Sequence, residues 1–476
     1  MEVAVKSLAP QASFGGGRVL AADYAWEEEG LFISVRLDGE VWEFRDREIL
    51  DPRYTAVDRQ RRIKERVRLG IRRLFERVYG LAESPWGILE GVRPMKMVHA
   101  MLDRGFPPEE LRGILLEVYA LSPKKAQLLL EVAAKQRPYF HANPNNPISI
   151  YVGIPFCPTR CSYCSFAAYP LATHGHLLKG FLQALHREIE AVGGLTKELQ
   201  LQVESVYLGG GTPTTVQGAE LERLLSLMRE NLFTAETREF TVEAGRPETL
   251  SRDTLRLLKE GGAQRICINP QTMHDATLQA IGRKHTVAQV REAFALAREV
   301  GIPLINMDII LGLPGEELAQ VRGTLEEIAA LGPDNLTVHS LALKRASTLR
   351  KNLEQVYIAQ EQGEAMVDLA RDYALSWGMQ PYYLYRQRHI LGDLENIGYA
   401  LPGTHSIYNI QMMEERQSIL ALGGGGVSKL VAPDLTLRRQ VNPKCPAAYS
   451  AQINEHLADK LKLLREHFSG SGPNSN

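Results

Sequence analysis

Three cysteines, Cys157, Cys161 and Cys164, lie within eight residues at the spacing C-x3-C-x2-C, in a chain that has five cysteines. Thiolates gathered this closely ligate a soft metal ion or an iron–sulfur cluster. A structural zinc ion would need a fourth Cys or His at short spacing, and residues 165–169 contain neither. The spacing therefore favours a cubane [4Fe–4S] cluster held by three thiolates, with one iron open to a cofactor or substrate. A zinc site is the alternative.

A run of three glycines, Gly209-Gly210-Gly211, follows a predicted strand and leads into Thr212. Because glycine has no Cβ atom, it lets backbone N–H and C=O groups come close to a bound molecule. No Gly-Lys-Ser/Thr sequence follows, so the run is not a P-loop. We expect it to line a ligand site at the end of its strand.

Four further polar residues lie in or after predicted strands: Glu243 ends the third strand, Gln271 follows the fourth, Arg283 lies twelve residues further on, and Asp308 lies within the fifth. A carboxylate such as Glu243 can hold ribose hydroxyls or an ammonium group, and a solvated turn residue is the alternative. Arg283 suits a ligand carboxylate, which a guanidinium binds through two hydrogen bonds. Asp308 is flanked by apolar strand residues, and because a lone buried carboxylate is costly, it should have a partner or bind a ligand.

The other chemically notable residues have weaker patterns. Tyr163 lies between the second and third cysteines, where its ring could pack against an adenine or simply support the loop. Cys267, inside a predicted strand, is expected to be a small buried side chain. Cys445, in a predicted loop, receives no role.

The elements that must position these residues alternate between short β-branched runs and amphipathic helices from residue 148 onward. Six such units in series predict a parallel sheet with right-handed crossovers, either doubly wound or a whole or partial barrel. In both architectures the site lies at the C-terminal ends of the strands. The predicted strands are 148–152, 205–208, 240–243, 265–269, 306–311 and 336–341, and the predicted helices lie near 178–189, 219–231, 251–260, 287–300, 317–331 and 356–377.

The flanking regions have a different character. Residues 31–37 and 41–44 flank the turn signal Asp38-Gly39 and predict a hairpin, whereas residues 56–136 have helical periodicity. The first of these helices is rich in arginine interleaved with acidic residues, a pattern that favours a solvated polar face over an RNA-binding one. After about residue 380 the pattern is irregular. We expect 397–403 to be loop-like, 419–428 to run from a strand into a glycine loop, and a helix near 447–467.

Composition narrows the class of protein. A formal net charge of −1, with 44% hydrophobic and 23% charged residues, is typical of a globular protein without a general affinity for nucleic acid or membranes. Five cysteines, mostly clustered, argue against a disulfide framework and for a reducing compartment. We find no signal-peptide pattern and no apolar run of about 20 residues, the length that spans a bilayer. The expected location is the cytoplasm.

Taken together, the motifs resemble the oxygen-independent coproporphyrinogen III oxidase family of radical S-adenosylmethionine (SAM) proteins, and most closely its HemZ-type branch. The resemblance implies an α/β fold: a partial (β/α)6 radical-SAM barrel with an N-terminal β-plus-helical domain and a smaller C-terminal α/β region. The residues that carry it are Tyr151, Ile154-Pro-Phe-Cys157, Gly209–Thr214, Glu243, Gln271, Arg283, Asp308 and Gly312-Leu-Pro314, with Trp86–Pro94 and 385–403 for the branch.

The changes of pattern along the chain divide it into five expected segments. These are a small β region at 1–50, a helical domain at 51–146, the radical-SAM core at 147–345, a C-terminal substrate-covering region at 346–468 and a tail at 469–476. The tail consists of small and polar residues, which favours disorder.

The resemblance also implies the cofactors and their ligands. They are a [4Fe–4S] cluster on the three loop cysteines and SAM, of which some family members bind two molecules. One SAM would contact Tyr151, Gly210, Glu243 and Leu430. The other would contact Tyr163, Gly211, Thr212, Gln271, Arg283, Asp308 and Ala342.

The implied activity is that of a radical SAM oxidoreductase of the coproporphyrinogen dehydrogenase type, in heme (porphyrin) biosynthesis. It would convert two propionates of coproporphyrinogen III to vinyl groups without oxygen, giving protoporphyrinogen IX through a 5′-deoxyadenosyl radical made from SAM. The expected partners are the tetrapyrrole and a reductase or flavodoxin- or ferredoxin-type electron donor, and the expected state is a monomer that binds no nucleic acid. Because the substrate has four carboxylates, cationic groups should line its pocket. The candidates are Lys344, Arg345, Arg386 and Arg388.

Two positions depart from the pattern of the oxidases. Gly153 stands where they have His, and Phe166 stands where they have a further Cys. The related HemW-type heme chaperones also lack that cysteine, so heme carriage on the same scaffold is the alternative function. His389 and His405 are then the candidate axial ligands.

Overall fold

The computed structural model describes residues 20–80, 83–89, 91, 93–342, 360–387 and 394–469, which fall into two compact units divided between Ala134 and Lys135. The predicted tail beyond Ser469 lies outside the described residues, as do Lys344, Arg345, Arg388 and His389. The predicted division into five segments remains a prediction, and each unit is described in turn.

The N-terminal unit begins with a three-stranded antiparallel sheet in the order β1 (Leu20–Glu27), β2 (Gly30–Leu37) and β3 (Glu40–Asp46). Asp38 and Gly39 both have positive φ, as the two-residue turn of a hairpin requires. The predicted hairpin is confirmed, and β1, which had not been assigned as an individual strand, lies within the predicted small β region. Leu31, Ile33 and Val35 pack with apolar residues of the first helix in one buried core.

Four helices complete the N-terminal region: α1 (Ala56–Tyr79), α2 (Pro94–Asp103), α3 (Pro108–Glu117) and α4 (Pro123–Gln136). Thr55 and Asp58 form a capping box at the start of α1, and Gly80 ends it in the left-handed conformation. The expectation of a solvated arginine face is wrong for Arg62 and Arg66, which are buried and both bond Asp46, at 2.7 and 2.8 Å. Their charge is used inside the unit, because a buried guanidinium needs a paired carboxylate.

The larger unit contains an 11-stranded sheet whose centre is six neighbouring parallel strands. In chain order these are β4 (Ile148–Ile154), β7 (Val203–Gly210), β8 (Glu239–Glu243), β9 (Arg265–Cys267), β10 (Leu304–Leu311) and β11 (Asn335–Ser340). The helices between and after them are α5 (Leu171–His174), α6 (Leu178–Glu198), α7 (Gly218–Leu232), α8 (Arg252–Glu260), α9 (Asp275–Ala280), α10 (Val287–Val300), α11 (Leu318–Leu331) and α12 (Gln360–Ser376). The six predicted β/α units are confirmed, and the sheet is open rather than closed on itself.

C-terminal strands extend this sheet at both edges. Beyond β11 lie β13 (Asn396–Ala400) and β12 (Gln380–Tyr385), both antiparallel additions. Beyond β4 lie β14 (Ile419–Gly423), which is parallel to it, and then the antiparallel β15 (Val427–Val431) and β16 (Leu437–Val441). The expectation that 397–403 is loop-like is therefore wrong, because most of that segment forms the buried strand β13.

Three C-terminal helices follow or separate these strands: α13 (Ile407–Glu414), α14 (Pro446–Ala451) and α15 (Ile453–Ser469). Glu239, at the start of β8, accepts hydrogen bonds from Ser406 Oγ (2.9 Å) and Ile407 N (2.6 Å) and is paired with Arg265 (3.0 Å). A carboxylate at a helix N-terminus satisfies its free N–H groups. Glu239 therefore fixes α13 at the N-terminal ends of the core strands, opposite the cysteine loop.

A second buried group, which we call the Glu188 cluster, joins α6 to the C-terminal region. Glu188 and Lys460 are almost fully buried, and Lys460 Nζ lies 2.5 Å from Glu188 Oε1. Glu188 Oε2 also accepts from Gly423 N (2.7 Å) and Tyr449 Oη (2.5 Å), and Asn442 Nδ2 lies 3.1 Å from Oε1. The cluster fixes the start of the glycine loop 423–426 beside the first core strand.

No helix among the described residues is both long enough and apolar enough to cross a bilayer.

Candidate cluster and cofactor site

The cysteine loop leaves the C-terminal end of β4 and is tied to its surroundings by backbone bonds. Phe156–Cys157 (β5) pairs with Tyr169–Pro170 (β6), and Ser162 N donates to Ile281 O at 3.0 Å. Cys157 and Cys161 are 7% and 9% exposed, and Cys164 is half-buried. All three thiols therefore lie in one fixed loop at the mouth of the barrel, as predicted.

Two of the sulfur atoms receive hydrogen bonds from other strand ends. Thr212 Oγ1 lies 3.4 Å from Cys157 Sγ, and Arg246 Nη1 lies 3.3 Å from Cys161 Sγ. Burial raises the pKa of Cys157 to about 11, against the opposing effect of the Thr212 hydroxyl. Burial likewise raises the pKa of Cys164. A bound metal centre would deprotonate these thiols, since coordination deprotonates a thiol outright.

The glycine run after β7 packs against the cysteine loop. Gly210 has φ 116°, and a Cβ atom there would lie 2.7 Å from Ile154 O. A Cβ atom on Gly211 would lie 2.9 Å from Cys157 Sγ. Gly211 N and Thr212 N donate to Ile154 O and Phe156 O, each at 2.7 Å. The glycines are thus required by the close approach of two loops, and their predicted contacts with SAM remain a prediction.

Glu243 lies at the end of β8 and faces the glycine run. Its carboxylate accepts from Tyr207 Oη at 2.8 Å and from Gly210 N at 3.0 Å. Burial raises the pKa of Glu243 to about 7, and the negative charge of Asp308 adds to the rise while the two hydrogen bonds oppose it. The carboxyl group is therefore poised to ionise when a cation binds nearby.

Three tyrosine rings fill the barrel behind Glu243. Tyr151 of β4 lies with its ring centroid 6.2 Å from that of Tyr207 and 6.1 Å from that of Tyr408, and the last two are 4.4 Å apart. Tyr151 was predicted as a site residue, whereas Tyr207 and Tyr408 were missed. Tyr207 could have been found because it lies two residues before Gly209 and so shares its face of the strand. Tyr408 comes from α13, a contact that strand periodicity does not predict.

Asp308 has the partners that its position in β10 required. Asn306 Nδ2 donates to Asp308 Oδ1 at 2.6 Å, and His339 Nε2 lies 3.5 Å from Oδ2. His339 Nδ1 in turn lies 3.2 Å from Tyr385 Oη. This polar group, which the sequence analysis missed apart from Asp308, lies on the inner side of neighbouring strands. Ala342 lies two residues after the end of β11 and is half-buried.

Gln271 adopts a left-handed backbone conformation with φ 69°, just after β9. Its backbone is fixed by bonds of 2.9 Å to Asp308 O and from Ile310 N. Among the residues that the structure describes, its buried side-chain oxygen has no hydrogen-bond partner, and the same holds for Asn269 Oδ1. Because an unsatisfied buried polar atom costs about 1–3 kcal/mol, these two oxygens are suited to accept hydrogen bonds from a bound cofactor.

Arg283 is buried at the same edge of the sheet. Its guanidinium donates to Asn269 O (2.5 Å), Gly245 O (3.1 Å) and the hydroxyl of Tyr163 (3.1 Å). Arg283 thereby links the ends of β8 and β9 to the cysteine loop. The predicted bond to a SAM carboxylate remains a prediction. In the described structure Nη1 donates to the two carbonyls, whereas Nε and Nη2 both donate to the Tyr163 hydroxyl.

Gly153 lies against the C-terminal glycine loop. Gly424 N donates to Gly153 O at 3.1 Å, and a Cβ atom on Gly153 would lie 3.0 Å from Gly424 O and 3.1 Å from the Tyr151 ring. A histidine at this position would therefore displace the loop or the ring. The packing around residue 153 therefore suits the glycine of this chain rather than the histidine that the oxidases have there.

The donor set fits an iron–sulfur cluster and a polar cofactor beside it. Three thiols lie in one loop, two glycines allow the next loop to pack directly against it, and two buried side-chain oxygens nearby can accept hydrogen bonds. Across the described ranges, no three Cys, His, Asp or Glu side chains converge on a point that a single metal ion could occupy. A cubane makes a different demand, because each of three thiolates binds its own iron at a separate corner.

Comparison with known proteins gives consistent matches. Residues 151–328 match the Radical SAM superfamily. Over 458 residues the chain is 36% identical to the oxygen-independent coproporphyrinogen-III oxidase-like protein HemZ of Bacillus subtilis (strain 168), covering 94% of this chain and 91% of that protein. Over 208 residues it is 33% identical to the heme chaperone HemW of the same organism, covering 44% of this chain and 53% of HemW.

A solved structure shares the fold. Coproporphyrinogen III oxidase (HemN) from Escherichia coli superposes with a TM-score of 0.55 at 23% sequence identity, covering 68% of this chain and 73% of that one. The predicted radical-SAM type of α/β architecture is confirmed by this match.

Proposed function

Because the chain belongs to the radical SAM family of HemZ-type, oxygen-independent coproporphyrinogen-III oxidase-like proteins, we propose that it decarboxylates coproporphyrinogen III oxidatively to protoporphyrinogen IX. One observation carries the choice of reaction. The match to HemZ runs along 94% of this chain and 91% of HemZ, whereas the match to the B. subtilis chaperone HemW covers 53% of that protein.

The cofactors of this family are a [4Fe–4S] cluster and SAM. Cys157, Cys161 and Cys164 would hold the cluster. The bound cluster would supply the electron that cleaves SAM to methionine and a 5′-deoxyadenosyl radical, the species that abstracts hydrogen from a propionate β-carbon. Each propionate would then lose CO2, with one electron passing to an external one-electron acceptor, to give the vinyl group.

The chain's own residues would bind and orient SAM at the mouth of the barrel. Glu243, once ionised, attracts the cationic sulfonium and ammonium groups, because opposite charges gain most where water is excluded. Gln271 and Asn269 offer buried oxygens to N–H or O–H donors of the cofactor. Tyr151 presents its ring beside Gly153, and Tyr163 is held by Arg283 within the cysteine loop.

The substrate carboxylates require cations near the barrel mouth. Among the four candidates, Arg386 is within the described residues and is buried directly after β12, a position that argues against a freely solvated side chain. We propose Arg386 as a carboxylate-binding residue, and Lys344, Arg345 and Arg388 remain candidates outside the described residues. We further propose a monomer that is reduced by a flavodoxin- or ferredoxin-type donor.

Heme carriage is the second candidate function, and the similarity to HemW over 208 residues favours it. A carrier needs an axial ligand for iron. His405 lies at the opposite end of the core strands from the cysteine loop, and its Nδ1 is 3.1 Å from Tyr139 Oη. Its ring also lies near the rings of Tyr139 and Tyr382. These contacts make it a poor ligand without rearrangement.

Anaerobic turnover separates the two functions. The reconstituted protein is mixed with coproporphyrinogen III, SAM and a strong reductant, and the oxidised pigments are separated by chromatography. We expect protoporphyrin and one 5′-deoxyadenosine per vinyl group formed, and neither with Cys161→Ala. Stoichiometric, tight heme binding with no vinyl product would instead establish the carrier.

A further inference from the structure

Arg246 is a buried cation in contact with a cluster ligand, and nothing in the sequence analysis assigned it a role. It lies three residues after Glu243, in the loop that follows β8, and is 3% exposed. Its Nη1 lies 3.3 Å from Cys161 Sγ and its Nη2 lies 2.6 Å from Thr159 Oγ1. The guanidinium therefore points at the cysteine loop from a neighbouring strand end.

A second layer holds Arg246 in this orientation. Glu248 Oε1 lies 2.8 Å from Arg246 Nε and 2.7 Å from its Nη2, and His285 Nδ1 lies 3.2 Å from Glu248 Oε2. Two neighbouring donors that bond the same carboxylate oxygen restrict the orientation of a guanidinium. The remaining face of Arg246 is thereby directed at the sulfur rather than at solvent.

A purely structural role explains this arrangement poorly. The ion pair with Glu248 offsets the cost of burying the guanidinium, and the bond from Nη2 to Thr159 Oγ1 ties Arg246 to the loop. Neither of these two contacts uses Nη1, whose position 3.3 Å from Cys161 Sγ is explained if the site it faces carries negative charge. Three thiolates on a cluster carry such charge, and it increases by one on reduction.

We propose that Arg246 sets the reduction potential of the cluster by stabilising its reduced, more negative state through the hydrogen bond to Cys161 and its positive charge. Hydrogen bonds to the sulfurs, net charge and solvent exposure are the features by which a protein sets the potential of an iron–sulfur cluster. The step is a one-electron reduction by an external low-potential donor, in which no bond of Arg246 forms or breaks. The inference rests on the family's cluster and not on which tetrapyrrole is bound.

The test is a redox titration of the reconstituted protein without tetrapyrrole, followed by the electron paramagnetic resonance signal of the reduced cluster. Arg246→Gln is expected to lower the midpoint. The ratio of reduced to oxidised cluster at a fixed potential should fall about tenfold, which corresponds to about 59 mV for one electron. Arg252→Gln is the matched control, because Arg252, the first residue of the nearby helix α8, forms an exposed ion pair with Glu299. It should keep the wild-type midpoint.

An Arg246→Gln variant with full iron content and the wild-type midpoint would overturn the proposal. If that variant does not retain iron, Arg246→Lys decides, because its ammonium group keeps the charge but cannot reach Cys161 and Thr159 together. Its midpoint potential should fall by less than that of the Gln variant, so that the ratio of reduced to oxidised cluster at a fixed potential changes by less than tenfold. A Lys variant with wild-type iron content and midpoint would overturn the proposal equally. Failure of coproporphyrinogen turnover would leave both readouts intact and would bear on the proposed reaction alone.

Discussion

Lys460→Met tests whether the Glu188 cluster holds the C-terminal region against the barrel. In the wild-type protein, Lys460 Nζ donates to Glu188 Oε1 (2.5 Å), Ala421 O (2.6 Å) and Asn442 Oδ1 (2.8 Å). Methionine has nearly the same length and fills the space but donates nothing. The substitution therefore leaves an ionised Glu188 buried without its counter-charge.

The magnitude follows from what remains around Glu188. Removing one partner of a buried ion pair costs about 3–5 kcal/mol. Gly423 N, Tyr449 Oη and Asn442 Nδ2 still donate to the carboxylate. We therefore expect the lower end, a loss of about 3 kcal/mol in the free energy of unfolding. The double variant Glu188→Gln/Lys460→Met should lose less, because neither partner is then an unpaired charge.

The pH dependence of the free energy of unfolding independently checks whether Lys460 stabilises the ionised form of Glu188. Burial raises the pKa of Glu188, but Lys460 and the bonds from Gly423 and Tyr449 outweigh it and hold that pKa below its ordinary value of 4.5. A lowered folded-state pKa stabilises the protein above pH 4.5, and that contribution is lost as the pH falls through the folded value. Without Lys460, burial prevails and the pKa of Glu188 rises. The difference between wild type and variant should therefore narrow in acid.

Urea unfolding followed by circular dichroism at pH 7.5 measures the effect, with the slope against urea unchanged. Arg465→Ala is the matched control. Arg465 Nη2 lies 2.9 Å from Glu198 Oε2, and this ion pair joins the same helices α15 and α6 but is half-exposed. Its unfolding midpoint should equal that of wild type. The reasoning is refuted if Lys460→Met unfolds at the same urea concentration as this control, or if the difference widens in acid.

The remaining predictions concern the cofactor site. Replacing Cys157, Cys161 or Cys164 with Ala should abolish the binding of about four irons, measured by iron content and absorbance. The controls Cys267→Ala and Cys445→Ala should keep the cluster. Arg283→Ala should weaken SAM binding about ten- to hundredfold, measured by calorimetry, while the iron content stays intact. This loss corresponds to the about 1.5–3 kcal/mol that a charged bidentate hydrogen bond contributes. An unchanged affinity for SAM would mean that Arg283 makes only its contacts within the loops. SAM affinity should rise as the pH increases through about 7, the pKa to which burial raises Glu243, because the ionised carboxylate binds the cation. Glu243→Gln should bind SAM more weakly and lose that dependence, and a pH profile identical to that of wild type would contradict the assignment.

Local signals predicted the core elements well. Helix α10 was predicted at 287–300 and is found there, because Thr286 and Gln289 form its capping box and Gly301 ends it in the left-handed conformation. The cysteine loop and the glycine run were predicted from spacing and from the strands before them. In these cases neighbouring residues carry the physical cause of the structure.

The elements that were missed depend on distant parts of the chain. Strand β13 contains Gly398, whose missing side chain makes room for the Tyr383 ring of the neighbouring strand, since a Cβ atom there would lie 1.8 Å from it. Only the paired strand explains that glycine. Arg246 stands in a loop of ordinary composition, and its partner Cys161 is 85 residues away along the chain. Neither contact has a periodicity that sequence could show.

The pairing of β14 with β4 has a consequence for synthesis of the protein. β4 carries the cysteine loop at its end, and its outer edge is covered by residues 419–423, parallel and in register from Ile419 opposite Ser149. On a ribosome that edge stays open until residues 419–423 have emerged, about 270 residues after β4, while its N–H and C=O groups form a template for pairing with other chains. Non-local parallel pairing is also slow to form. A nascent chain stalled before residue 419 should therefore require protection from aggregation.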